Sequence, residues 1–127
     1  MSTGTAQFDL LPAETLIADR RNASSAAAVE AAPTLRIAAA EVVREGYLLH
    51  YGEPRWYDVP DRDLALLAGD RMYAAGLAAL AEEGDTVAVS ALAALIAGCA
   101  EAHAVNDSAR AAELWESTLA MLAPGSD

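Results

Sequence analysis

The segment from Leu64 to Ala104 constrains the fold most, because it holds two apolar stretches rich in alanine and glycine, joined by a Glu-Glu-Gly-Asp turn. Alanine has the highest helix propensity, and a glycine inside a helix costs about 1 kcal/mol relative to alanine. Gly69 and Asp70 therefore need a structural reason inside so apolar a helix. The pattern predicts two helices that pack closely, with Gly69 at a close approach and with Gly76 free to become alanine.

The chain of 127 residues is suited to one domain, and its 54% hydrophobic content is too high for a disordered chain. Few aromatic residues and many alanines favour helices over strands. We predict an all-α fold, a mostly antiparallel bundle of about five helices. Residues 1–12 are expected to form a flexible N-terminus, residues 13–122 a single helical domain and residues 123–127 a flexible tail.

The helix boundaries follow from capping residues and from prolines or glycines that stop a helix. Thr34 is expected to cap the second helix and Gly52 to stop it, Asp58 or Asp61 to start the third, and Asp85 to cap the fourth. The five predicted helices are about Ala13 to Ala32, Thr34 to Tyr51, Asp58 or Asp61 to Glu82, the segment after Asp85 to about Ala104, and Ser108 to Leu122.

The net charge of −11, with no lysine, argues against binding to nucleic acids or to anionic membrane surfaces. The longest uncharged run, Thr86 to Ala100, is shorter than the roughly 18 residues of a membrane span, so we expect a buried helix and no span. The single cysteine, Cys99, allows no intramolecular disulfide and is expected in the core. With no signal peptide evident, these features together predict a cytoplasmic protein.

The loop from Gly52 to Pro60 contains two prolines, a glycine and the aromatic pair Trp56 and Tyr57 next to Arg55. Such a pair either caps the bundle or contacts a partner, since aromatic residues and arginine are enriched at interfaces. Of these alternatives we predict the second, in which the pair contributes to partner binding and not to the fold.

Several charged residues suggest other roles. Glu41 and Glu45 lie four residues apart, and we expect Arg44 and solvent to screen them. Asp70 is expected to form a structural hydrogen bond. His50 and His103, with Asp70, are the candidates for a metal-dependent helical enzyme, but metal sites in bundles usually contain Glu-x-x-His pairs, which this sequence lacks. We therefore expect no catalytic residue and no metal or cofactor site.

One motif resembles a known family. Its residues are Leu66-Leu67-Ala68-Gly69-Asp70, then Tyr73, Gly76-Leu77, Leu80-Ala81 and Gly84-Asp85. They resemble the helix pair of trans-polyprenyl diphosphate synthases, over about Leu48 to Ala104. The Asp-Asp-x-x-Asp motif that binds magnesium in those synthases does not occur between Glu41 and Pro60. The chain is therefore more similar to the small non-catalytic component of two-component heptaprenyl or hexaprenyl diphosphate synthases.

This resemblance implies an isoprenoid-synthase-like fragment that pairs with a catalytic prenyl diphosphate synthase subunit and helps set product chain length. Magnesium and the diphosphates would bind to the partner, and the alanine and glycine faces of the third and fourth predicted helices would dock against it. The expected interface residues are Arg55, Trp56, Tyr57, Gly69, Asp70, Tyr73 and Gly76. A self-associating helical bundle, a homodimer included, and a small helical enzyme or ligand binder remain the alternatives.

Overall fold

The computed structural model describes Val29 and residues 31–125, and this part of the chain is all-helical with no strand. Its four helices are α1 (Leu35–Tyr51), α2 (Arg62–Glu82), α3 (Thr86–Ala104) and α4 (Ser108–Leu122). The predicted all-α class is confirmed. The first predicted helix, about Ala13 to Ala32, lies almost entirely outside the described residues.

Each of the four helices begins at a side chain that accepts a hydrogen bond from the backbone N–H three residues later, as an N-cap does. The four N-caps are Thr34, Asp61, Asp85 and Asp107. The predicted caps Thr34 and Asp85 are confirmed, and of the two predicted starts of α2 the structure has Asp61. Local side-chain chemistry is therefore enough to place these helix starts.

Asp85 also joins two helices that are distant in sequence. Its carboxylate accepts hydrogen bonds from Arg36 Nε at 2.6 Å and from Arg36 Nη2 at 2.9 Å. These bonds connect the first turn of α1 to the first turn of α3. The hydrogen bond from the guanidinium is the main reason why the pKa of Asp85 lies below its ordinary value.

Helices α1 and α2 pack through glycines. A Cβ atom added to Gly46 on α1 would lie 2.7 Å from the carbonyl oxygen of Gly69, and one added to Gly69 would lie 2.8 Å from the carbonyl oxygen of Gly46. A Cβ on Gly76 would lie 2.7 Å from Val43 Cγ2 and 3.0 Å from the carbonyl oxygen of Ala39. The predicted close approach at Gly69 is present, but the expectation that Gly76 tolerates alanine is wrong, because α1 occupies that space.

The core is built on the inner faces of all four helices. Its fully buried side chains include Val42, Val43, Met72, Leu80, Leu92, Cys99 and Leu122. Cys99 lies there as predicted. Burial raises the pKa of its thiol, which disfavours the thiolate, the nucleophilic form of cysteine. The described fold is thus a pair of helices, α1 and α2, that contact each other at their glycines, and α3 and α4 complete the core.

We expect Gly69→Ala to lower the free energy of unfolding by about 1–3 kcal/mol, because its methyl group meets the backbone of α1 and one helix must move. Urea unfolding monitored by circular dichroism measures this. Gly98→Ala on α3 is the matched control: its nearest neighbours would all be atoms of the flexible Leu114 side chain, with Cδ1 nearest at 3.0 Å. Equal stabilities of the two variants would contradict a close α1–α2 contact.

Candidate functional site

The loop between α1 and α2 is held by a carboxylate in the core. Glu45 on α1 is completely buried, with 0% exposure. Its Oε1 accepts hydrogen bonds from Arg55 N at 3.0 Å and Arg55 Nε at 3.3 Å, and its Oε2 accepts from Trp56 N at 2.8 Å and Tyr57 N at 3.1 Å. A buried carboxylate is tolerated when it is paired and fully hydrogen-bonded, and Glu45 meets both conditions.

Arg55 completes this arrangement. Its Nη1 donates to the carboxylate of Glu41, its Nη2 donates to the backbone carbonyl of Glu41 at 2.7 Å, and its guanidinium lies 4.6 Å from the ring centroid of Trp56. The expectation that solvent and Arg44 screen Glu41 and Glu45 is wrong for Glu45. Both carboxylates are instead paired with Arg55, which lies on the following loop.

Trp56 and Tyr57 are each only 1% exposed and belong to the core cluster. The part of the prediction that leaves them out of the fold is therefore wrong: both are core residues of this chain. Their backbone N–H groups donate to Glu45, and both side chains are buried. Arg55, the third predicted interface residue of this loop, is occupied by the same cluster.

The residues of the family-like motif have two different environments. Gly69 and Gly76 are buried between α1 and α2, and the Tyr73 ring packs beside Gly46 and against the His50 ring, with centroids 5.1 Å apart. Burial is the main reason why the pKa of the Tyr73 hydroxyl is raised. Asp70 points outward, with a side chain that is 66% exposed, and so does Leu67. These glycines and Tyr73 therefore serve the internal α1–α2 contact.

Asp70 and His50 form a pair across α1 and α2. Asp70 Oδ1 lies 3.3 Å from His50 Nε2, which also lies 2.9 Å from the carbonyl oxygen of Leu66. Because a carbonyl only accepts, the short contact to Leu66 assigns a proton to Nε2. A structural hydrogen bond is expected for Asp70, and the structure has this contact with His50 at the surface instead.

His103 packs on Tyr51, whose ring also contacts the His50 ring, with centroids 5.7 Å apart. Its ring stacks on Tyr51 with centroids 4.1 Å apart and planes 7° apart, and its Nε2 lies 2.7 Å from the Tyr47 hydroxyl. Among residues 31–125 and Val29, no three His, Cys, Asp or Glu side chains are grouped so that they could hold a metal ion. The candidate trio of His50, Asp70 and His103 therefore does not converge on one point: Asp70 contacts His50, and both histidine rings pack on Tyr51.

A groove of about 400 Å³ lies between α1 and α4. Its lining residues are Arg44, Tyr47, Leu48, Ser108, Ala112, Trp115, Glu116 and Leu119. The Arg44 guanidinium lies 5.7 Å from the Trp115 ring centroid, and the buried Trp115 Nε1 has no hydrogen-bond acceptor within the described residues. Trp115 is a core residue, but the groove needs α1 and α4 side by side, which no local sequence pattern reveals.

The outer face of α3 is apolar and exposed, and the outer face of α2 has exposed leucines and alanines beside the exposed Arg71. Leu67 on α2 is 63% exposed and Val87 on α3 is 60% exposed, and α3 has no charged side chain before Glu101. By length and composition alone, both helices could cross a membrane. The core helices of soluble proteins can meet the same criteria. Only 28% of the most apolar window of α3 is buried, so the expectation of a buried helix holds for one face only.

Comparison with known proteins adds no relative. The chain matches no family model, and neither the curated proteins nor the solved structures searched gave a match. The similarity to the synthase component therefore rests on the short motif around Gly69 and Asp70.

We expect Glu45→Gln to lower the free energy of unfolding by at least about 2 kcal/mol, because the amide nitrogen would face N–H donors and leave buried groups unpaired. Chemical denaturation measures the change. Glu41→Gln is the control: it loses a half-exposed ion pair and should cost less than about 1 kcal/mol. A Glu45→Gln variant as stable as Glu41→Gln would show that the buried carboxylate does not hold the loop.

The double variant Trp56→Ala/Tyr57→Ala should melt well below the parent chain. Each change removes a buried aromatic ring, and such a truncation typically costs 3–5 kcal/mol or so, a large share of the stability of a small domain. Thermal melting followed by circular dichroism checks this. An unchanged melting midpoint would restore the interpretation that the pair serves an interface.

Proposed function

We propose that this chain is a non-catalytic helical subunit that acts by docking onto a protein partner, with a catalytic trans-polyprenyl diphosphate synthase as the candidate partner. The observation that supports docking most directly is the exposed apolar face of α2 and α3, which we call the outer face and define by Leu64, Leu67 and Val87 with the exposed alanines between them. A large apolar surface on a soluble domain is typical of an interaction site.

The docking face proposed here differs from the glycine face expected from the sequence. Gly69 and Gly76 are covered by α1, so they are not available to a partner. The exposed alanines Ala74 and Ala78 lie on the side of α2 opposite these glycines, and α3 has exposed alanines at positions 93 and 97. Small side chains there permit close approach of a partner helix, which keeps the proposed mechanism of helix packing.

The choice of partner rests on the sequence resemblance. The chain lacks the aspartate-rich motif that binds magnesium and diphosphate in the synthases, so the magnesium ions and both substrates belong on the partner in this proposal. The subunit would influence product length through the shape of the complex. Its strong negative charge agrees with a role away from the diphosphates, since like charges repel.

The chain should form a heteromer with an aspartate-motif synthase encoded in a neighbouring reading frame, and Val87→Glu should weaken that heteromer at least several-fold without lowering the melting midpoint. A charge buried in an apolar interface is costly, whereas at an exposed position it is not. Analytical ultracentrifugation of the mixed proteins measures this. Val105→Glu, at a 73% exposed position in the α3–α4 connection, is the matched control and should bind like the parent.

Activity separates this proposal from the alternatives. With magnesium, isopentenyl diphosphate and an allylic primer, the isolated chain should give no product, while its complex should give a product length different from that of the partner alone. Turnover by the isolated chain would contradict a non-catalytic role. A homodimer broken by Val87→Glu, with no heteromer, would favour self-association, and binding to lipid vesicles by the outer face would favour a membrane role.

A further inference from the structure

We propose that the groove between α1 and α4 binds a small apolar monocarboxylate, with Arg44 receiving the carboxylate. The groove volume of about 400 Å³ lies within the range of small-ligand sites. Its walls combine aromatic and aliphatic side chains, namely Tyr47, Leu48, Trp115 and Leu119, with few polar groups. That composition is typical of a site that surrounds an apolar body and orients it by one charged end.

Arg44 is the group that selects an anion. No carboxylate lies within 4 Å of its guanidinium among the described ion pairs, although the chain has 19 acidic residues and only 8 basic ones. Arg36, Arg55 and Arg110 each have a carboxylate partner. Arg44 instead lies over the Trp115 ring at the groove, where its planar donors are available for a carboxylate.

The charges at the groove favour a single negative charge on the ligand. Glu116 also lines the groove, and the whole chain has a net charge of −11. One arginine can pair with one carboxylate, but a diphosphate would bring several negative charges against this background. A cationic ligand is disfavoured because Arg44 already occupies the position over Trp115 where a cation would bind.

Trp115 provides an aromatic wall of the groove, beneath the Arg44 guanidinium. Its Nε1 atom is itself buried, so a ligand in the groove contacts the ring and not the indole N–H. Ser108 and Glu116 are the polar residues that line the α4 side. The inference is independent of the proposed synthase partner.

Octanoate, octanol and octylamine are the probes for the test, because they share an apolar chain and differ in charge. Nitrogen-15 nuclear magnetic resonance of the full chain gives one indole N–H signal for Trp115 and one for Trp56, assigned with Trp115→Phe. Octanoate should shift the Trp115 signal in a saturable manner and leave the Trp56 signal in place. Its Kd should be at least about tenfold lower than those of octanol and octylamine.

Arg44→Gln should raise the Kd for octanoate about tenfold and leave octanol binding unchanged, and Arg44→Lys should have an intermediate effect. Arg110→Gln is the matched control, since it removes an exposed arginine of α4 that is paired with Glu113. Melting curves verify that each variant is folded. Equal affinities for the three probes, an unchanged Kd in Arg44→Gln, or an equal shift of both indole signals would each overturn the proposal.

Discussion

The backbone contact between α1 and α2 is the constraint on which the rest of the structure depends. Gly46 and Gly69 face each other so closely that neither position has room for a Cβ atom. The space over these glycines is filled by main-chain carbonyls and by the His50 and Tyr73 rings, which together fix the relative position of the two helices. The His50–Asp70 pair and the burial of Tyr73 follow from that position, and so does the need to fold the intervening loop back onto the core.

The burial of Glu45 is the consequence of that folded-back loop. Three backbone N–H groups enter the interior without helical partners, and one carboxylate with two oxygens accepts from all of them. The arrangement costs desolvation of a charge, which Arg55 and the N–H donors offset. An apolar residue at position 45 would leave those donors unpaired, so here the polar group is what allows Trp56 and Tyr57 to be core residues.

Sequence reasoning succeeded where the determining interactions are local and failed where they are not. The caps Thr34 and Asp85 were predictable because an N-cap bonds a residue three positions away. The role of Glu45 was not, because its partners lie ten to twelve residues later, in a loop whose path the sequence does not reveal. The prediction for Gly76 failed for a related reason. Helix propensity describes a single helix, whereas the space at Gly76 is limited by Val43 on the neighbouring helix.

Helix α1 contacts α2 on one face and lines the groove on another, so the two proposed binding surfaces share no residue. Gly46 turns one face toward α2, while Arg44 and Leu48 line the groove beside α4. The outer face consists of residues of α2 and α3, none of which lines the groove. A change at Arg44 therefore leaves the outer face chemically intact, and a change at Val87 leaves the groove intact. If both surfaces bind, coupling between them has at least two routes: the α1–α2 contact, where the glycines leave little freedom for displacement, and the α3–α4 contact, where Gly98 lies beside Leu114.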